Sequence, residues 1–176
     1  MNGEFLYCPQ CATALRETVM AEDGGDKARL RCPACGFTHW NNPTPVLAAI
    51  VELDGQILLA RNAAWTNRFF GLITGFMEAG ESPQEGIRRE IAEETALQTE
   101  ALTLVAVHDF QRMNQVIITY HARCHGQVRL SPELAEYRLL PPQSVRCWRA
   151  GTGLALAEWL LSQGHNPTFL DDTARA

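Results

Sequence analysis

The alternation of apolar and polar positions divides the chain into elements. Residues 46–53, VLAAIVEL, form an apolar run of the length and β-branched content expected of a buried strand. Asp54-Gly55 is a hairpin turn signal, and residues 56–61 read as the returning strand. Residues 63–68 read as a loop, and 69–74 lead into a glycine-rich stretch. Residues 102–110 and 115–124 predict two strands joined by Gln111-Arg112-Met113-Asn114. An edge strand is expected at 126–130, a polar loop at 131–137 and a short strand at 145–148. Residues 154–163 repeat at helical spacing and stop at Gly164; the chain from His165 is expected to fray. Strands and helices mixed in this way predict a layered α/β domain over residues 44–164, with a tail at 165–176.

Between the strands lies one helix of a different kind. Ser82 suits an N-cap, Pro83 the first helical position, and Glu85 stands three residues after Ser82, which makes a capping box. Ile87 and Ile91 mark an apolar stripe. Glu90, Glu93 and Glu94 share the adjoining face, where residues three and four apart are neighbours. Each like-charged pair destabilises an isolated helix by about 0.2–0.5 kcal/mol. Only Arg88 and Arg89 are at hand to offset them, so a counter-ion is expected, and clustered carboxylates suit Mg²⁺ or Mn²⁺. Gly86 leaves room for a group to approach this face.

The first 40 residues are organised by cysteine. Cys8-x2-Cys11 and Cys32-x2-Cys35, twenty residues apart, have the spacing of a closed four-thiolate zinc site. Gly24-Gly25 fits the turn of an intervening hairpin, so residues 1–40 read as a zinc ribbon, with the structural Zn²⁺ as staple. Asn41-Asn42-Pro43-Thr44-Pro45 is the expected linker.

Composition narrows the partners. The chain has 176 residues, a formal net charge of −5 and 46% hydrophobic residues, enough for a core. The ribbon has few basic residues. Binding to nucleic acid or to an anionic membrane is therefore not expected. No apolar run has the length of a membrane span, and MNGEFLYC lacks the pattern of a secretory signal, so a cytoplasmic setting is expected. Cys124 and Cys147 then read as isolated thiols, and His108, His121 and His125 as surface or satisfied core histidines.

Residues 75–97 resemble the Nudix box, G-x5-E-x7-R-E-U-x-E-E-x-G-U, where U is aliphatic. Gly75, Glu81, Arg89, Glu90, Ile91, Glu93, Glu94 and Leu97 match in register; Ala96 replaces the second glycine. The resemblance implies a Nudix α/β/α sandwich with a mixed sheet, preceded here by the small four-cysteine zinc ribbon. That arrangement is similar to bacterial NADH pyrophosphatases and to plant pyrophosphatases acting on FAD. It implies a metal-dependent hydrolase that splits the pyrophosphate of a nucleoside diphosphate linked to a group X, with a small-molecule nucleotide as substrate and a homodimer as the common assembly. Glu90 and Glu94 match the metal ligands, Glu93 a further ligand or the general base, and the Thr74 carbonyl another ligand. Arg89 is expected to orient these carboxylates through a salt bridge, with Glu81 a candidate partner. A downstream loop often adds a glutamate; Glu136 is the first candidate and Glu133 the second. Arg61, Trp65, Phe70 and Phe110 are candidates for substrate contact. The S-Q-P-W-P-F-P-x-S tag of NADH pyrophosphatases is absent; residues 107–114 read VHDFQRMN, so X stays open. The contrasting possibility is a ligand sensor of the same fold that uses the ribbon to bind nucleic acid. Such sensors commonly lose the catalytic carboxylates, and all are present here.

Overall fold

The computed structural model describes residues 5–171, which fall into two compact units, Met1–Asn42 and Pro43–Ala176.

In the first unit, strands β1 (Arg16–Glu22), β2 (Gly25–Arg31) and β3 (Thr38–His39) form an antiparallel sheet. The cysteines sit in two equivalent turns. Ala12 N–H donates to the Cys8 carbonyl, and Gly36 N–H to that of Cys32. Ala12 and Gly36 both have positive φ, at 57° and 78°, so each turn closes in the left-handed region. All four Sγ atoms lie within 4.8 Å of one another, with close pairs at 3.4, 3.6 and 3.7 Å. A tetrahedron with Zn–S bonds of about 2.3 Å has edges of about 3.8 Å. The thiols therefore fit a tetrahedral zinc ion.

The second unit is built on β4 (Thr44–Leu53), β5 (Gln56–Asn62), β6 (Ile73–Phe76), β7 (Gln98–Phe110), β8 (Gln115–His125) and β9 (Leu134–Leu140). The strand order is β7-β8-β4-β5-β9, and β6 also pairs with β4. The β4–β8 pair is parallel and the others are antiparallel, so the sheet is mixed. Alternation along the strands sends side chains to opposite faces. Leu47, Ala49, Val51 and Leu53 of β4 join Ile87 and Ile91 of α1 (Pro83–Thr95) in one buried cluster. Ile50, Ile57 and Leu59 join Leu156, Trp159 and Leu160 of α2 (Thr152–Ser162) in the other. One helix on each face makes the sandwich. Among the described residues no helix is long and apolar enough to cross a membrane.

Three elements differ from the sequence reading. Residues 126–130 form no strand. The expected polar loop contains most of β9, which continues to Leu140 and pairs with β5. The tail is ordered as far as β11 (Thr168–Phe169), parallel to β10 (Arg146–Cys147). Its residues 172–176 lie outside the described residues.

Candidate active site

Helix α1 begins as its sequence requires. Glu85 N–H donates to Ser82 Oγ at 3.3 Å, and Ser82 N–H donates to Glu85 Oε2 at 2.8 Å. It ends on Ala96 in the left-handed region, φ 59°, with its N–H on the Ala92 carbonyl. The exit turn survives without glycine, at a conformational cost of about 1 kcal/mol.

The centre of the site is Arg89, whose five N–H groups are all engaged. Nε and Nη2 hold the two oxygens of Glu81 at 3.1 and 3.0 Å, and Nη1 reaches Glu90 at 2.8 Å and Glu93 at 3.1 Å. Nη2 also donates to the Phe76 carbonyl at 3.3 Å. Glu81 in turn accepts the Glu78 N–H at 2.7 Å. One guanidinium thus ties the Gly-rich loop to the helix and fixes three carboxylates. Paired charge-assisted bonds of this kind have a geometry that a lysine cannot reproduce. Arg89 holds the Glu81 carboxyl below its ordinary range.

The glycines are matched to these carboxylates. A Cβ on Gly75 would overlap the Glu90 carboxylate, and one on Gly86 would overlap Glu81 and Leu47. The group that approaches Gly86 is therefore the Glu81 side chain.

Glu94 is different. Its side chain is buried, and no donor engages its carboxylate among the described residues. Burial, reinforced by Glu90, Glu133 and Glu93, raises its pKa to about 7. Glu90 is also raised, mainly by burial, despite the opposing Arg89. Glu90, Glu93 and Glu94 are oxygen acceptors of the kind that bind divalent cations, although among the described residues only the four cysteines come together within mutual ligand distance.

Glu133, not Glu136, is the downstream glutamate brought toward this face. The Ser131 N–H donates to the Glu94 carbonyl at 3.0 Å, and Glu133's charge acts on both Glu90 and Glu94. Because 134–140 is a strand, alternation puts Glu136 with Arg138 on the sheet face opposite α1. There Glu136 lies 3.6 Å from Arg61 and 3.9 Å from Arg138. Arg61 thus pairs loosely with Glu136, while its Nε is buried without a hydrogen-bond partner among the described residues. Phe70 is core, with the Arg138 guanidinium 3.8 Å from its ring centroid. Neither lines the nearby cavity.

That cavity, of about 460 Å³, is lined by Trp65, Phe69, Phe110 and Trp148, with Arg112 and Gln115 among its polar groups. Of the four candidates for substrate contact, Trp65 and Phe110 are in its wall. Thr74 lines it too, and its neighbour Gly75 packs on Glu90, so β6 links the cavity to the carboxylates. No sequence pattern singles out Trp148, Arg112 or Gln115. Their role depends on how α2 and the 111–114 turn close over the sheet, for which no local signal exists. Two of the three histidines singled out are paired, His121 with Glu52 at 2.7 Å and His108 with Glu158 at 2.9 Å, and His125 is exposed at the end of β8. Cys124 and Cys147 are buried and free.

A mixed sheet between two helices, with a glycine-rich loop feeding a carboxylate-faced helix, defines a Nudix-type hydrolase scaffold. The chain belongs to this family: the NUDIX domain model matches residues 42–160, and the Nudix N-terminal zinc-ribbon model matches residues 6–41. It is 24% identical over 135 residues to an NAD-capped RNA hydrolase NudC of Stutzerimonas stutzeri, covering 76% of this chain and 47% of that one. It is 31% identical over 107 residues to the human mitochondrial NAD(P)H pyrophosphatase NUDT13, covering 60% of this chain and 30% of that one. The chain thus spans less than half the length of these curated relatives. The crystal structure of a NUDIX hydrolase from Nitrosomonas europaea superposes with a TM-score of 0.74 at 26% identity, over 93% of this chain and 96% of that one.

Proposed function

We propose that the protein is a metal-dependent nucleotide pyrophosphatase that converts a nucleoside diphosphate linked to X into a nucleoside monophosphate and phospho-X. The observation that supports this best is the Arg89 network, which holds Glu81, Glu90 and Glu93 beside the unpaired, buried Glu94. A ligand sensor needs no such array, and the names of the NudC and NUDT13 relatives point the same way.

Glu90 and Glu94, with Glu93, Glu133 and the Thr74 carbonyl, would hold Mg²⁺ or Mn²⁺. When bound, such ions neutralise phosphate charge and make water a better nucleophile. The protein's own part is positional. Arg89 holds the Glu90 and Glu93 carboxylates in one arrangement. Glu93, more exposed than Glu90 and Glu94 on the same helix face, would take the proton of the attacking water. The water oxygen bonds to one phosphorus as the bridging P–O bond breaks, and the leaving phosphate departs on X. The aromatic cavity beyond Thr74 receives a base or other flat ring by stacking. The ribbon holds Zn²⁺ as a structural ion. A two-fold dimer and a cytoplasmic setting complete the proposal; light scattering at micromolar concentration should give twice the mass of one chain.

The test is a panel of NADH, FAD, ADP-ribose and dinucleoside polyphosphates, assayed with Mg²⁺ and Mn²⁺ and read by product identity. A nucleoside monophosphate plus phospho-X from at least one compound supports the reading. Saturable binding of panel members with no product would favour the sensor.

A further inference from the structure

The aromatic cavity beside β6 has a charged wall as well as rings. Phe110 ends β7, and the turn Gln111–Met113 that follows carries Arg112 in the same wall. Trp65, Phe69 and Trp148 form one ring cluster, with neighbouring centroids 5.5 and 5.0 Å apart. Among the described residues no carboxylate lines the cavity.

Arg112 differs in this from the arginines nearer the carboxylates. Arg89 is held by three glutamates, and Arg61 lies 3.6 Å from Glu136. Arg112 forms no ion pair among the described residues; its guanidinium lies over the Phe110 ring, 5.9 Å from the centroid. The other polar groups of the wall have hydrogen-bonding capacity to spare. Asn67 Oδ1 accepts the Phe69 N–H at 3.3 Å, which leaves the –NH₂ end of that amide as a donor. The Gln115 amide and the Thr152 hydroxyl have no partner among the described residues.

Arg112 is exposed in the free protein, so water satisfies it. A ligand ring that stacks in the cavity covers part of the wall in which Arg112 stands. A charge taken from water costs free energy unless it is paired, and no protein carboxylate is there to pair it. The partner must therefore arrive with the ligand.

We infer that the substrate carries, on the half that enters this cavity, a phosphate monoester in addition to the pyrophosphate. The planar guanidinium of Arg112 matches two phosphate oxygens at once, and Gln115, Asn67 and Thr152 offer further donors. The inference rests on the pyrophosphatase reading for the pyrophosphate itself, and it names a substrate class that this reading leaves open.

The experiment uses the full zinc-loaded chain and probes that differ by one phosphate. Binding of adenosine 2′,5′-bisphosphate and of adenosine 3′,5′-bisphosphate is compared with that of adenosine 5′-monophosphate by calorimetry, without Mg²⁺ or Mn²⁺. Turnover with Mn²⁺ is compared for NADPH against NADH and for coenzyme A against its 3′-dephospho form. The phosphorylated member of at least one pair should bind about tenfold tighter, the weight of one charge-assisted contact, and less so at high salt. In turnover the preference should appear in KM and not in kcat, because the contact is the same in ground and transition states. R112Q should bring the ratio close to one, and R112K, which keeps the charge without the fork, should retain part of it. R123Q removes the same charge from an exposed position of β8 outside the cavity and should leave the ratio unchanged.

A preference in only the 2′ or only the 3′ series supports the inference and fixes the place of the phosphate. If a bisphosphate is preferred through Arg112 but no dinucleotide is hydrolysed, the phosphate contact stands and the pyrophosphatase reading falls. The inference is overturned if the parent binds the members of every pair equally or binds none of them. It is overturned too if the preference survives R112Q or is lost equally in R123Q. R112Q weakening the monophosphate as much as the bisphosphates would also overturn it, because Arg112 would then serve the phosphate common to all.

Discussion

The tightest fit in the site is between a glycine and a carboxylate, and Gly75→Ala tests it. Gly75 lies in β6 and is not among the positive-φ residues, so the backbone accepts alanine. The three nearest atoms to a new Cβ are all of the Glu90 carboxylate. Ordinary carbon contacts stand at about 3.5–4.0 Å, so Glu90 must retreat by on the order of 1 Å or more. Retreat breaks its 2.8 Å bond to Arg89 Nη1 and moves a proposed metal ligand. Misplacement on this scale costs about 10² in rate, or about 2.7 kcal/mol of barrier. The fold should lose no more than the roughly 1–3 kcal/mol typical of overpacking, because the carboxylate can swing outward. The assay is turnover on the substrate the panel identifies, with thermal melting alongside. A variant that melts earlier yet turns over like the parent would refute the claim that Glu90's position matters to the chemistry.

Other substitutions separate charge from scaffold. Glu94→Gln should lower turnover by about 10²–10³ while leaving the fold intact, and in the absence of divalent cation it should melt higher than the parent at pH 8; a parent-like rate would remove Glu94 from the site. Glu94's folded-state pKa of about 7 lies above its ordinary 4.5, so the folded chain retains a proton that the unfolded chain releases between these values. The resulting stabilisation, at most about 3 kcal/mol, is present at acid pH and lost as pH rises through 7. Melting of the zinc-loaded protein without Mg²⁺ or Mn²⁺, followed from pH 8 to 5, should show this rise, and Glu94→Gln should flatten it. Glu85→Ala removes the capping box and should cost about 1 kcal/mol in a denaturation curve without changing turnover. Cys32→Ser should abolish stoichiometric zinc in elemental analysis, because metal binding and folding are coupled in so small a unit.

Features carried by local spacing are legible in the sequence: the capping box, the Glu90/Glu94 face and the two cysteine turns. Features that depend on strand pairing are not. Glu136 reads as a loop carboxylate because only Leu134-Ala135 separates it from Glu133, too short an apolar run to signal a strand. Once β9 pairs with β5, its alternation carries Glu136 away from α1 and leaves Glu133 in the loop that contacts Glu94. Phe70 is indistinguishable in sequence from Phe69. Phe69 joins the cavity wall, whereas Phe70 lies in the core under Arg138. Ala96 shows the reverse case, in which the fold imposes the left-handed exit on a residue that does not favour it.

The most direct test of the central claim is cation dependence of hydrolysis at the α1 carboxylates. Zinc-loaded protein freed of other metals is given the panel substrate, and Mn²⁺ is titrated in, for the parent and for Glu90→Gln. No turnover is expected without Mn²⁺, and saturable activation is expected in the parent, with nucleoside monophosphate and phospho-X as products. Activation in Glu90→Gln should be weaker and should need more cation. Turnover independent of Mn²⁺, or activation unchanged in Glu90→Gln, would contradict it.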